Sequence, residues 1–401
     1  MLNKVLAILY ALLLEAVVGF QSVAQGLGWR RMVRRHIASE KAPSGAKVAL
    51  ICPCKGMEAD LEENLTALTR FDYPSYEVFF VTASLDDAAA SVIVRVAAGR
   101  TRKAKAVHHV VAGPPDGCSE KVNNLRAAAA QLNQDFGVLT FVDSDALLDR
   151  GWLARMVTSL ERNPTGAVTS FRWLLPRGGV SSKMASAWNA SILGLLGDHA
   201  RNFCWGGATA IYRSTFAEIG APEAWRGALS DDFALTRALR RARRRIDFAP
   251  ECLAPTRAEF SLRTLAEFTN RQMIITRVYE PRLWFFGALS HGLYVLSILG
   301  AAVAVCRSSI ESAVRVSAAA LALLIMLLAA AKACIRSKAV REVLPSARKE
   351  FLRSGFAPCL LAPLVPFLYV MNFAVSAISR RIIWRGVRYE LVSPEATRII
   401  D

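Results

Sequence analysis

Two carboxylates one residue apart, Asp143 and Asp145, stand at the end of the apolar run Val138-Leu-Thr-Phe-Val142. A run of this kind, followed by the helix-like Trp152–Leu160, reads as a buried strand of a parallel sheet. Acids at the carboxyl end of such a strand lie where open α/β sheets bind ligands. A pair of them suits a hard divalent ion that holds a diphosphate. The plainer alternative is an Asp145 that caps the next helix beside an incidental surface Asp143. A second acidic pair, Asp231 and Asp232 in Leu229-Ser-Asp-Asp-Phe233, opens another helical pattern. Acids there either favour the helix dipole or, beside a reacting hydroxyl, take its proton. Pro53-Cys-Lys-Gly56 brackets Lys55 in a tight turn from which its ammonium can reach a diphosphate. Ser84-Leu-Asp-Asp-Ala88 follows another apolar run, with Asp86 as a helix N-cap its plain reading.

These residues need a scaffold. Val48–Cys52 and Val78–Thr82 read as short strands that lead into turns. Leu61–Arg70, Asp87–Gly99, Val122–Leu132 and Trp152–Leu160 read as helices. Such alternation gives a mostly parallel sheet with helices on both faces, an α/β domain over residues 47–281. Ser186–Leu196 is an apolar helix inside it, either dipping into a membrane interface or filling the core. Gly206 and Gly207 would let the backbone approach a sugar or an acceptor closely.

Outside that domain the chain turns apolar. Val5–Leu27, within residues 1–28, is long enough to cross a bilayer and lacks a signal-peptide cleavage pattern. Arg30, Arg31, Arg34 and Arg35 follow it, so the positive-inside rule puts the next region in the cytoplasm. Glu15 interrupts this helix, either protonated or facing another helix. Trp284–Val305 and Val314–Cys334 make a transmembrane pair within 284–334, and the basic segment 335–356 is expected along the interface. Residues 357–378 are apolar but carry Pro358, Pro363 and Pro366. A full crossing there would put Arg380, Arg381, Arg385 and Arg388 of the basic tail, 379–401, outside. A re-entrant or interface-lying segment is therefore expected.

Composition agrees with this division. Of 401 residues, 53% are hydrophobic while 21% are charged, which requires apolar segments to be segregated from a soluble domain. The net charge of +17 would suit nucleic acid, an anionic membrane or phosphate-bearing substrates. No recognisable nucleic-acid motif is present, so membrane and diphosphate account for it. Among eight cysteines, Cys52 and Cys54 alone sit close together, and no second pair completes a zinc site. They read as reduced thiols.

Together these motifs resemble the membrane-bound inverting glycosyltransferases of family 2, which have the GT-A fold, and within them the ceramide glucosyltransferase group. The likeness runs from about Ala49 to Tyr279 with matching flanking membrane segments. It implies that Pro53, Lys55, Asp87, Lys121 and Asp143 bind the nucleotide sugar. Asp143 and Asp145 would hold Mg²⁺ or Mn²⁺ as a DxD pattern, and Asp232 would be the catalytic base, with Asp231 in place of the usual glutamate. Lys121 lies in Lys121-Val-Asn-Asn-Leu125, which resembles the lysine-bearing helix start of the group. The chain departs from the family at its [Gln/Arg]-x-x-Arg-Trp signature. In Asn270-Arg-Gln-Met-Ile-Ile-Thr-Arg-Val-Tyr279, Arg271 and Gln272 fit the opening, but Ile274 and Ile275 replace Arg-Trp. Arg277 is then expected to supply the missing cation, and Trp384 in the tail to meet the acceptor or pyrophosphate.

The resemblance implies a multi-pass membrane enzyme, bacterial by its Ala- and Arg-rich composition, with a cytoplasmic catalytic domain. Its partners would be a UDP-sugar donor, a lipid acceptor of ceramide, hopanoid or diacylglycerol type, and the bilayer, without nucleic acid. Rival readings are a polyprenyl-phosphate sugar transferase, a processive polysaccharide synthase and a catalytically silent scaffold. Sugar, acceptor and oligomeric state stay open.

Overall fold

The computed structural model describes residues 2–37 and 44–400; Met1 and Asp401, the outer ends of two expected segments, lie outside the described residues. Helix α1 (Leu2–Ile37) precedes β1 (Val48–Pro53), α2 (Leu61–Leu68), β2 (Tyr76–Thr82), α3 (Ala88–Ala97) and β3 (Val107–Val111). Next come α4 (Glu120–Gln131), β4 (Val138–Val142), α5 (Trp152–Glu161), β5 (Ala167–Thr169), β6 (Arg172–Arg177) and α6 (Val180–Leu193). Then follow β7 (Ala208–Tyr212), α7 (Arg213–Glu218), α8 (Ala221–Ala224), α9 (Asp231–Arg241), β8 (Ile246–Phe248), β9 (Ala254–Glu259) and α10 (Leu262–Tyr279).

Seven strands form one sheet in the order β3-β2-β1-β4-β7-β5-β8. The pairs β1–β2, β1–β4, β2–β3 and β5–β8 are parallel, and β7 alone runs antiparallel to both its neighbours. The apolar runs follow from burial on both faces. In β1, Val48, Leu50 and Cys52 face one core with α2 and α5, while Ala49 and Ile51 face the other with α4 and α9. β2 and β4 alternate in the same way, and the partly exposed Glu77 near the start of β2 is paired with Lys47 and His108. Each such side chain contributes about 1.5–3 kcal/mol on burial. The expected α/β class, with a mostly parallel sheet and apolar helices at both ends, is the one found. A separate parallel ribbon, β6–β9, lies beyond the sheet.

The C-terminal third holds α11 (Pro281–Cys306), α12 (Ser312–Val343), α13 (Arg348–Ser354), α14 (Ala357–Leu361) and α15 (Val365–Ile378), then β10 (Arg381–Trp384), β11 (Val387–Ser393) and β12 (Ala396–Ile400). Among the described residues, four segments are long and apolar enough to cross a membrane: within α1, α11, α12 and 357–378. Helix α1 packs along α12 so closely that a Cβ at Gly19 would come within 2.9 Å of Leu328.

Several expectations need correction. Helix α1 continues ten residues past Leu27, because Trp29 Nε1 donates to Leu196 O at 2.9 Å and Arg30 and Arg34 pair with Glu342 at 2.5 and 2.7 Å. Residues 335–343 continue α12 instead of lying along an interface, since Arg336 is buried and donates to Ala190 O. The segment 357–378 is broken by a 3₁₀ turn at Ala362–Leu364, where Pro363 and Pro366 lack the amide hydrogens a helix needs. The helix around Ser186 is a core element: Trp188 is fully buried, stacked on Tyr369 with centroids 5.0 Å apart. The basic tail is an antiparallel three-stranded sheet docked on the α/β domain. Its Ile382, Tyr389 and Leu391 are buried against Leu229, Ile274, Ile275 and Tyr279.

Candidate active site

The carboxyl ends of β1 and β4 open into a cavity of about 720 Å³, lined also by α10, the β6–β9 ribbon and the tip of the tail sheet. Lys121, in the first turn of α4, is its electrostatic centre. Its Nζ lies 2.8 Å from Asp143 Oδ1 and 3.2 Å from Asp231 Oδ1. Burial works against the Lys121 ammonium, but Asp143 and Asp231 outweigh it and raise its pKa. For Asp143, burial is likewise outweighed by Lys121, helped by Arg172 and Arg385, and the carboxyl is held below the usual range. Asp231 behaves oppositely despite touching Lys121. Burial, with Asp232 and Asp143 adding to it, pushes it up to about 6. The difference lies in the company each keeps: Asp143 has a shorter contact to Lys121 and two nearby guanidiniums, whereas Asp231 has two neighbouring carboxylates.

The loop that presents Asp231 and Asp232 is held rigidly. Tyr279 Oη accepts from Leu229 N at 2.9 Å, Ser119 Oγ donates to Leu229 O at 2.6 Å, and Trp225 Nε1 donates to Asp231 O at 2.9 Å. Asp232 is half-buried and lines the cavity. Its Oδ1 accepts from Ser230 Oγ and, at 2.7 Å, from Phe233 N, while Oδ2 has no hydrogen-bond partner among the described residues. Gly206 and Gly207 make room for this arrangement. A Cβ at Gly206 would overlap Asp231 Oδ2, and one at Gly207 would overlap Asp143 Oδ2.

Three guanidiniums crowd the other wall. Arg172 lies over Trp205 and Phe268 at 5.7 and 5.3 Å, with its Nε buried and unpartnered. Arg271 lies over Phe268 and Trp384 at 5.6 and 5.5 Å, and has no ion pair among the described residues. Burial, then Arg172 and Arg385, bring its pKa down to about 10. Arg385 donates to Lys55 O at 2.7 Å and to Glu58. Arg172 reaches Asp145 at 4.0 Å and Arg385 pairs with Glu58, so Arg271 is the one of the three without an acid among the described residues, and the set suits an anion.

The expected residues separate accordingly. Pro53, Lys55, Lys121, Asp143, Asp145, Asp231, Asp232, Arg271, Gln272 and Trp384 all line the cavity. Lys55 is paired to Glu120 at 2.5 Å. Asp87 does not line it; it is the N-cap of α3, accepting from Ala89 N and from Gly56 N at 2.8 Å each, and so sets the Lys55 turn. Arg277 is a correction. It donates to Ser376 O at 2.5 Å and lies over Trp284, away from the cavity. Sequence reasoning missed Arg172, Arg385, Glu58 and Trp205. The signal for Arg385 was the Arg385-Gly386 hairpin turn, with φ of 48° and 81°; Arg172 carried none.

A divalent ion fits these residues. Asp145 Oδ1 is buried without a partner, and burial, then Asp143, raises the Asp145 carboxyl, a state that a cation would relieve. No cluster of three or more acid, His or Cys ligands exists among the described residues. Two carboxylates with donor phosphates completing the shell are a usual arrangement for Mg²⁺.

Acids and cations gathered at the carboxyl edge of a mostly parallel sheet are the mark of an enzyme that handles a charged nucleotide donor. Which enzymes these are follows from the Glycosyl transferase family 21 model, which matches residues 11–397, so the chain belongs to that family of glycosyltransferases. The motifs resembled family 2; the assignment holds at the level of glycosyltransferase, and the matching family is 21. Among solved structures the chain is similar to mannosyltransferase PcManGT from Pyrobaculum calidifontis in complex with GDP-Man and Mn²⁺. Identity is 16%, with a TM-score of 0.48 over 92% of this chain and 99% of that one. It is also similar to glucosyl-3-phosphoglycerate synthase from Mycobacterium tuberculosis in complex with phosphoglyceric acid, at 15% identity and a TM-score of 0.39, over 58% of this chain and 80% of that one. No curated protein sequence matches the chain.

Proposed function

We propose that the chain transfers a hexose from a UDP-sugar to the hydroxyl of a membrane lipid, with inversion. The observation that carries this is Asp232 Oδ2, a carboxylate oxygen left without a partner on the cavity wall while its neighbour Asp231 is committed to Lys121. Asp232 takes the proton of the attacking hydroxyl as the new C–O bond forms. The departing diphosphate keeps the electron pair of the broken bond, and Arg172, Arg271 and Arg385 offset its charge. Asp143 and Asp145 would hold Mg²⁺ or Mn²⁺, which supplies further charge neutralisation on the leaving group. Lys121 keeps Asp143 and Asp231 apart and oriented. The apolar lining by Phe260, Phe268, Ile275, Ile383 and Trp384 supports a lipid acceptor.

The catalytic domain sits at the cytoplasmic face, as the arginines after α1 imply. Residues 357–378 dip in and return, because α12 ends against the catalytic domain through Arg336, which donates to Ala190 O, and the tail sheet docks on the same domain. Incubating the detergent-solubilised protein with Mn²⁺, UDP-hexoses and a lipid extract tests the reaction. A hexose-shifted lipid of inverted anomeric configuration is expected by mass spectrometry and NMR. A retained configuration, or a sugar carried on a phosphate, would contradict it.

A further inference from the structure

A second cavity, of about 270 Å³, lies between the membrane helices and the back of the catalytic domain. Strand β6 separates the two: Arg172 and Leu174 line the catalytic cavity, Trp173 and Leu175 the other. This is the two-residue alternation of a strand. A molecule in the second cavity is therefore held behind the ribbon, away from Asp232.

The chemistry of this cavity is divided. Its walls along α1 and α12 present the apolar Val18, Ile325 and Leu328, beside Ser22 of α1. Its end nearest the catalytic domain carries Lys332 and Arg336, one helical turn apart on α12. Arg336 is buried and donates to Ala190 O of α6. Lys332 is half-buried and makes no hydrogen bond or ion pair with any described residue. The acid that lines the cavity, Glu15, lies ~16 Å along α1 from Gly26, beside which the Lys332 stem packs. Two cations withdrawn from water without a nearby carboxylate call for an anion. The apolar walls call for hydrocarbon attached to it.

We propose that this cavity is a binding site for a phosphate-bearing amphiphile, an anionic phospholipid, with its phosphate at Lys332 and Arg336. Its chains leave between α1, α12 and the α14 segment into the bilayer, because the cavity is wide enough for a head group and too small for a whole lipid. Basic pockets between membrane helices bind anionic head groups in this way. Since α6 and β6 form one wall, the lipid braces the catalytic domain against the helix bundle. It is not the acceptor.

The test reads binding and not turnover, so it is independent of the reaction proposed above. Full-length protein in a neutral detergent is titrated with phosphatidylglycerol, phosphatidylcholine or inorganic phosphate. Thermal unfolding is followed, and native mass spectrometry counts bound lipid. Phosphatidylglycerol is expected to bind one tight equivalent and raise the unfolding temperature by roughly 3 °C or more. Lys332→Gln is expected to weaken that binding roughly tenfold, and Lys332→Arg to retain it. Should Lys332→Gln fail to fold, Ala329→Phe, which fills the cavity from its apolar wall, gives the same loss. An equal response of wild type, Lys332→Gln and Ala329→Phe would overturn the proposal. So would a phosphatidylcholine response as large as that to phosphatidylglycerol. A full response to inorganic phosphate would reassign the site to a soluble anion and overturn the lipid.

Discussion

Asp231 and Asp232 are neighbours in the chain with opposite surroundings. Asp231 is buried against Lys121, its carboxyl pushed up to about 6, while Asp232 turns an oxygen without a partner to the cavity. Environment, not residue type, sets them apart, as the proposed division of roles requires. The division depends on residues with no side chain at all. Gly206→Ala would drive Asp231 off Lys121, so transfer is expected to fall roughly 100-fold, since small misplacements of reacting groups cost that much. Gly292→Ala, on α11 with no atom within 4 Å of the new Cβ, is the matched control and should leave turnover unchanged. Steady-state rates of the two variants check both expectations.

The tail sheet is the element that completes the site. Where the resemblance led to an expected Arg-Trp, the chain has Ile274 and Ile275, which pack under β10 and β11. The hairpin tip of those strands delivers Trp384 and Arg385 to the cavity instead. Arg385→Ala is expected to raise the donor KM roughly tenfold, read in initial-rate titrations. The strands β1, β2 and β4 and the acids at their ends were legible in the sequence, because burial on two faces writes an unbroken apolar run. The tail was not. Its strands are half-exposed and each carries an arginine, so no unbroken apolar run marks them, and their partner surface lies about a hundred or more residues earlier. Arg277 was misread for a geometric reason. Arg271 and Ile275 are four apart and share the cavity face of α10, whereas Arg277 is turned about 240° from Arg271. Arg172 carried no local signal, because its role depends on a ribbon pairing with β9.

At the scale of the whole molecule, α11 leaves the catalytic domain and α12 returns to it, so the proposed topology expects the turn between them across the bilayer from the tail. A single cysteine at Ser309, in a background lacking Cys306 and Cys334, should react with an impermeant thiol reagent from the side opposite to one at Ser379. Labelling of both from one side would contradict the re-entrant path of residues 357–378. The central claim joins this membrane frame to one oxygen atom. The most direct measurement of it is donor binding and lipid glycosylation by wild type and Asp232→Asn, side by side in the same detergent. The expected result is a donor Kd within about threefold of wild type and a transfer rate lower by roughly 10²–10⁴-fold. Undiminished transfer by Asp232→Asn would contradict Asp232 as the base.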